Sequence, residues 1–348
     1  MTSPSESFKK KLMEPINALF KEALEGDGSP SAARGGRNWQ LPGMGNYAGS
    51  RSNAADKERT KAKLGTVDEA AFEEAMHAVN GLVGLRSAKR SIRRLADFAR
   101  IEAERRRLKL PQSEVGFHSV FTGSPGTGKT TFARLLGKIL HALGLLEKGH
   151  TVEVDKAGLV GEYLGQTPMK VEAAFDEADG GVLYIDEAYS LTHDTDDLYG
   201  REAVDGIVKQ MEDRRGRVVV VAAGYPQEMR RFINSNPGLK SRFNRTIRFE
   251  DYDSAELLSI QKQMLRSNGF EASEGFLLRS ELLWQKLYRD RLTFDGNARI
   301  VRTALEIALE NQAARLVRKP DKARHELCEM LPEDLDGVEA QLREDHDA

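Results

Sequence analysis

The chain has 348 residues, with 52 Lys+Arg against 54 Asp+Glu and a formal net charge of −2, enough for two or more domains with real cores and without the global basic excess of a nucleic-acid or anionic-membrane binder. The one cysteine, Cys328, excludes an internal disulfide. No apolar run approaches the ~18 residues of a membrane span and no charged-then-apolar leader opens the chain, so a reducing, cytoplasmic setting without membrane insertion is the expectation.

Residues 1–62 read as an N-terminal helix and linker. Phe8, Leu12, Ile16, Leu19 and Phe20 can line a short amphipathic helix, either a docking element or a poorly ordered terminus. The stretch from 25 to about 60, rich in Gly, Ser, Ala, Asn and Arg, reads as flexible. Residues 63–252 read as an α/β domain. Arg86 to Lys109 holds ten basic and three acidic residues, but Leu85, Ala88, Ile92, Leu95 and Ala99 form a helical stripe. The arginines are therefore expected on the wet faces of an amphipathic helix rather than in a nucleic-acid patch. His118–Thr122 reads as a buried strand and Thr131–Leu143 as a helix. Thr151–Val154 is a second strand, followed by a helix capped by Thr167, opened by Pro168 and running to Ala178. Val182–Ile185, Val218–Val221 and Thr246–Phe249 are further strands, with a helix over Arg201–Asp213. After Asp253 strand signals stop: helices over 254–268, 274–288 and 297–317 make a helical lid, residues 253–320. Residues 321–348 read as an acidic tail, since Glu329 to Ala348 holds eight acidic residues and one basic one, and are expected to be solvated and mobile.

Two motifs carry chemistry. Gly123-Ser124-Pro125-Gly126-Thr127-Gly128-Lys129-Thr130 fits G-x-x-x-x-G-K-[ST] at every fixed position. A strand feeding such a loop into a helix wraps backbone N–H groups around phosphates. Gly126 and Gly128 supply the backbone freedom and close approach, Lys129 reaches the β- and γ-phosphates, and the Thr130 hydroxyl ligates Mg²⁺. Further on, Val182 to Ile185 ends in Asp186 and Glu187 at the carboxyl end of a strand, where ligands sit in parallel sheets. Asp186 suits the Mg²⁺ shell through water, and Glu187 suits a base that positions water for attack on the γ-phosphate.

Four further segments stand in order around these motifs: Gly81-Leu82-Val83-Gly84-Leu85, Gly158 to Thr167, Asn236-Pro237-Gly238-Leu239-Lys240-Ser241-Arg242-Phe243, and Phe294-Asp295-Gly296-Asn297-Ala298-Arg299. With the two motifs they resemble the AAA+ ATPases, and within those the CbxX/CfqX group, from about Gly81 to about Leu316. The resemblance implies a P-loop NTPase domain with a parallel sheet sandwiched by helices and a small all-α lid, with ATP and Mg²⁺ as cofactors. It implies that the loop from Gly123 through Thr131 holds the phosphates and that Val83 and Gly84 lie against the adenine. By the same resemblance Arg242 is the arginine finger offered to a neighbour's ATP, with Arg245 a second candidate, and Arg299 is the lid sensor for the subunit's own nucleotide. Tyr163 falls where such rings carry an aromatic pore loop. The implied partners are further copies of the chain in a ring, expected as a hexamer, and a protein client. One departure stands out: Ala222-Ala223-Gly224-Tyr225 lacks the Asn that orients the attacking water in many such proteins, so Tyr225 or a backbone group must serve. The reading is an Mg-ATP-dependent ring ATPase that remodels a protein. Its rivals are a nucleic-acid-handling relative, disfavoured by the near-neutral charge and the lack of a helix-turn-helix after the lid, and an ATP-dependent assembly switch that does not pull.

Overall fold

The computed structural model describes residues 66–111, 116–163, 165–192, 197–294 and 296–347; the expected N-terminal helix and linker lie outside the described residues. Five short strands, β1 (Ser119–Thr122), β2 (Thr151–Val154), β3 (Val182–Ile185), β4 (Val219–Gly224) and β5 (Arg245–Arg248), form one sheet in the order β2-β3-β4-β1-β5. Every pairing is parallel. The three central strands are buried along their whole length, which is why β3 and β4 read as unbroken apolar runs. The edge strands bury only Val152 and Ile247 and carry Glu153, Arg245 and Arg248, charges that discourage further strand pairing.

Side-chain alternation splits the core in two. Phe121, Val182, Tyr184, Val221 and Ala223 face one layer of helices: α1 (Glu69–Gly81), α2 (Arg86–Arg107) and α3 (Lys129–Ala142). After the single turn α4 (Lys156–Leu159) come the helices of the other face, α5 (Gln166–Glu177), α6 (Leu198–Asp213) and α7 (Pro226–Ser235), which pack on Val120, Leu183, Ile185, Val220 and Ala222. The basic helix behaves as its periodicity requires: α2 buries Ala88, Ile92, Leu95, Ala96 and Ala99 and leaves Arg86, Arg90, Arg93 and Arg94 exposed. Helix α5 starts earlier than its sequence signals imply. Gly165, at φ 83°, is its N-cap. Thr167 is buried inside the first turn, where its hydroxyl accepts from the Gly161 N–H at 3.1 Å.

A short helix, α8 (Pro237–Arg242), precedes β5. The lid follows with α9 (Ser254–Ser267), opened by a capping box between Asp253 and Glu256, then α10 (Glu274–Arg289) and α11 (Ala298–Val317). Trp284, fully buried, donates its indole N–H to Gln261 Oε1 at 2.8 Å and ties α10 to α9.

The acidic segment is not a solvated tail. Residues 324–347 fold onto the lid as α12 (Arg324–Cys328), a strand β7 (Glu329–Met330) pairing with β6 (Glu271–Ala272), and α13 (Val338–Asp347). Met330, Leu335, Val338 and Leu342 join the lid core. The acids are neutralised locally: Glu339 pairs with Lys286 and Arg343, and Asp336 with Arg279. Asp334, 1% exposed, accepts both arms of the Arg315 fork at 2.9 Å and the Leu331 N–H at 2.8 Å. Removing one partner of such a pair strands a buried charge. Arg315→Ala should therefore cost about 3 kcal/mol and lower the melting temperature of the lid; an unchanged melting curve would mean that this segment is not packed as described.

Candidate active site

The parallel register brings three strand ends to one edge. Thr122 of β1 pairs with Gly224 of β4, and Ile185 of β3 with Ala222 two residues earlier. The phosphate-loop motif, the Asp186-Glu187 pair and Tyr225 thus leave the sheet side by side. The Gly123 N–H continues the ladder onto the Gly224 carbonyl at 3.2 Å. Within the loop Gly126 and Gly128 sit at φ 70° and 90°, backbone that L side chains adopt at a cost. A Cβ on Gly126 would also lie 2.1 Å from the Gly296 carbonyl of the lid. Lys129 opens α3, folded back so that Nζ donates to the carbonyls of Gly123 (2.9 Å) and Ser124 (2.8 Å). Burial is the main reason its ammonium is pulled down to about 8, partly offset by Asp186 and reinforced by the like charge of Arg299.

Asp186 is half-buried and Glu187 exposed at the mouth of the same edge. Glu187 holds φ 46°, a left-handed backbone unusual for this residue type, which turns the chain sharply after the strand. The Tyr184 hydroxyl, inside β3, donates to Asp186 Oδ1 at 3.2 Å and also bonds the Thr130 side chain. It therefore joins the two groups expected to hold Mg²⁺, a link between motifs that sequence reading missed because Tyr184 presents there only as a buried strand residue. Tyr189 and Tyr225 meet at a 56° tilt with ring centroids 6.1 Å apart. Burial and the neighbouring Glu187 carboxylate push the Tyr189 phenol above its usual range. Tyr225, 40% exposed, thus stands close to the expected water-positioning group.

The lid completes this edge. Arg299, in the first turn of α11, is exposed, and among the described residues no carboxylate pairs with it. Gly84, at φ 58°, lies against the Glu256 carboxylate, and Leu85 reaches Gly128, so the Val83-Gly84 segment borders both lid and phosphate loop. Tyr252, and Asn297 of the quoted 294–299 segment, to which the sequence assigns no role, bind the loop from behind. The Tyr252 hydroxyl donates to the Thr127 carbonyl at 3.3 Å, and the Asn297 amide donates to the Pro125 carbonyl at 3.2 Å. The assembled donor set fits a polyanion accompanied by a hard cation: a glycine-lined run of N–H groups, two cations lacking carboxylate partners among the described residues, and a hydroxyl and carboxylate suited to Mg²⁺.

Three predicted residues lie elsewhere. Arg242 ends α8 just before β5, and Arg245 of β5 pairs with Ser119 at the start of β1. Arg242 therefore sits off the amino end of the sheet, opposite its own phosphate loop. There it bonds Glu212 at 2.9 Å and helps line a cavity of about 670 Å³ with Arg106 and His118. His118 accepts the Val220 N–H at 2.9 Å through Nδ1; burial, then Arg242, holds its imidazole down at about 4. Arg245 lies 4.7 Å over the Phe98 ring, engaged within its own domain. Tyr163 is 68% exposed, outside any helix or strand. Gln166 Oε1 accepts from the backbone N–H groups of Glu162 (3.2 Å) and Tyr163 (3.4 Å), so the loop is stitched to α5 while the ring points to solvent.

Comparison with known proteins agrees with this geometry. Residues 119–251 match the family "ATPase family associated with various cellular activities (AAA)", and residues 253–346 match the AAA lid domain. Stage V sporulation protein K of Bacillus subtilis (strain 168) is 36% identical over 280 residues, covering 80% of this chain and 85% of that protein. The chloroplastic ribulose bisphosphate carboxylase/oxygenase activase of Cyanidioschyzon merolae is 40% identical, covering 73% and 87%. Protein CfxQ of Xanthobacter flavus is also 40% identical, covering 68% and 74%. Among solved structures, a FIGL-1 AAA domain in complex with ADP superposes with a TM-score of 0.53 at 17% identity, over 76% of this chain and 83% of that one, a likeness of fold. The chain belongs to the AAA ATPases, within the CbxX/CfqX group, and is an ATP hydrolase built from a parallel-sheet AAA domain and a helical lid.

Proposed function

We propose that the protein works as a homo-oligomeric ring, a hexamer, that hydrolyses Mg-ATP at subunit boundaries and uses the cycle to remodel a protein client. The observation that carries this reading is the placement of Arg242. A transferring phosphoryl group needs a cation beside the charge that develops on it, and this arginine lies at the opposite end of the sheet from its own phosphate loop. Offered to a neighbour, it completes that neighbour's site. Its bond to Glu212 joins an arginine side chain 25% exposed to a carboxylate 57% exposed, so the acid stays hydrated when the pair opens.

Within one chain the roles divide as follows. The N–H groups of Gly126 to Thr131 and the Lys129 ammonium hold the phosphates, with Ser124, Pro125 and Thr127 shaping the turn that begins at Gly123. Thr130 and Asp186 would hold Mg²⁺, which when bound would withdraw charge from the phosphate oxygens. Glu187 takes the proton of the attacking water, with Tyr225 beside it where related ATPases carry an amide. Arg299 contacts the subunit's own nucleotide from the lid, and Val83 and Gly84 border the base. An aromatic ring on a loop flanked by Gly161 and Gly165 offers an apolar grip with few rotors to freeze, which suits Tyr163 for pulling on many sequences. One relative's name, an activase of another enzyme, supports a protein as the client.

Three outcomes follow. Glu187→Gln should bind ATP normally and lose nearly all turnover, because an amide cannot accept the proton; turnover near that of the parent chain would remove Glu187 from this role. Arg242→Ala should keep nucleotide affinity and lose on the order of 10³-fold or more in rate, while mixtures with Lys129→Ala chains recover activity, since one chain supplies the pocket and the other the arginine. Co-assembled mixtures that stay inactive would argue against a shared site. Tyr163→Ala, at an exposed position, should change stability by less than about 0.5 kcal/mol and retain basal ATPase while client remodelling is lost; remodelling at the parental rate would exclude the aromatic grip.

A further inference from the structure

The carbonyl groups of the phosphate loop are all spoken for. Lys129 Nζ binds those of Gly123 and Ser124. The next three are held from the lid side: Pro125 by Asn297 Nδ2 at 3.2 Å, Gly126 by the Ala298 N–H at 3.2 Å, and Thr127 by the Tyr252 hydroxyl at 3.3 Å. A peptide unit is planar and trans, so its C=O and the following N–H point in opposite directions. Fastening the carbonyls of Pro125 and Gly126 to the lid and that of Thr127 to Tyr252 at its entry therefore turns the N–H groups of Gly126, Thr127 and Gly128 the other way, into the cradle.

Asn297 is the centre of this clasp. Its side chain is fully buried and occupies the N-cap of α11, yet it caps nothing in its own helix. Its amide nitrogen, with two hydrogens, is shared among the Pro125 carbonyl (3.2 Å), Asp251 Oδ1 (3.0 Å) and the Phe294 carbonyl (3.1 Å), and its oxygen accepts the Tyr252 N–H at 3.0 Å. One amide thus touches the phosphate loop, the 251–252 connection and the lid. Its backbone, at φ 48° and ψ −123°, is one that glycine adopts with least strain. Glycine would suit the turn; what asparagine adds is the amide.

We propose that Asn297 is a positioning residue that sets the phosphate-loop N–H groups by holding their carbonyls to the lid, so that lid position and phosphate affinity are coupled in both directions. This rests on the reading of Gly123 to Thr130 as the phosphate cradle. Lid movement away from the loop frees the carbonyls and loosens the cradle; phosphate binding fixes the N–H groups and thereby the lid, as reciprocity of coupling requires.

The test is ADP affinity by calorimetry on the full chain, with melting curves alongside. Asn297→Gly keeps the turn and drops the amide, and should weaken ADP about tenfold. Asn297→Asp should be weaker still, because it keeps the acceptor for Tyr252 but puts a carboxylate against Asp251 and the Pro125 carbonyl; a space-filling role would rank Asp above Gly. Hydrogen exchange should show ADP protecting residues 296–299 in the parent chain and not in Asn297→Gly. If the Asn297 variants do not fold, Tyr252→Phe, which deletes only the hydroxyl on Thr127, should weaken ADP about threefold. Parental ADP affinity in Asn297→Gly, or in Tyr252→Phe where that variant stands in, overturns the clasp. Lys129→Ala separates the two readings: if it too binds ADP normally, the phosphate cradle itself is misassigned, whereas loss of binding there with normal binding in Asn297→Gly sinks only the clasp.

Discussion

Parallel strands all end at the same edge, and the chemistry of this protein depends on that constraint. Because β1, β3 and β4 run together in register, one edge receives a glycine loop, two carboxylates and a tyrosine from segments far apart in sequence. The same rule sends whatever precedes a strand to the other edge. Arg242 precedes β5 and so cannot serve the loop that follows β1. On the proposed reading the fold itself separates the two halves of a hydrolytic site, so that a single chain would be an incomplete catalyst and a ring would complete it.

The second constraint is how charge is managed at the chemical edge. Lys129 rests on backbone carbonyls and Arg299 has no carboxylate partner among the described residues. Burial pulls the Lys129 ammonium down to about 8. A cation whose charge is disfavoured in this way gains when an anion arrives, so the site favours a polyanion before any contact with the base is made. The lid shares in this, because its first turn carries Arg299 and its Asn297 grips the loop. In the proposed clasp, nucleotide and lid would act on one another through the peptide groups of a few residues rather than through a distant relay.

Much of this was legible in the sequence, for a physical reason. A phosphate loop is local: its glycines, lysine and threonine are consecutive, and its flanking strand and helix announce themselves by periodicity. The position of Asp186 and Glu187 at a strand end is legible for the same reason, and α2 is legible because its apolar stripe outweighs its arginines. What escaped was non-local. Asn297 and Pro125 are 172 residues apart, and nothing in either neighbourhood announces their contact. Tyr184 looked like core, and its bond to Asp186 appears only when the strand end is built. The acidic segment presents eight acids over Glu329 to Ala348, whereas its burial rests on Leu335, Val338 and Leu342, which belong to two short elements broken at Gly337 (φ 73°) and so show no single period. Thr167 looked like a cap because the positive φ that Gly165 supplies cannot be seen in a string of letters.

The claim at the centre is that one chain holds only part of the hydrolytic site. Specific ATPase activity measured against chain concentration, with mass followed by sedimentation on the same samples, addresses it without any substitution. If the site is shared, activity per chain should rise steeply as rings form and fall toward zero on dilution to monomer, tracking the assembled fraction. Activity per chain that stays constant through dissociation, with monomers hydrolysing ATP at the rate of the assembly, would contradict it.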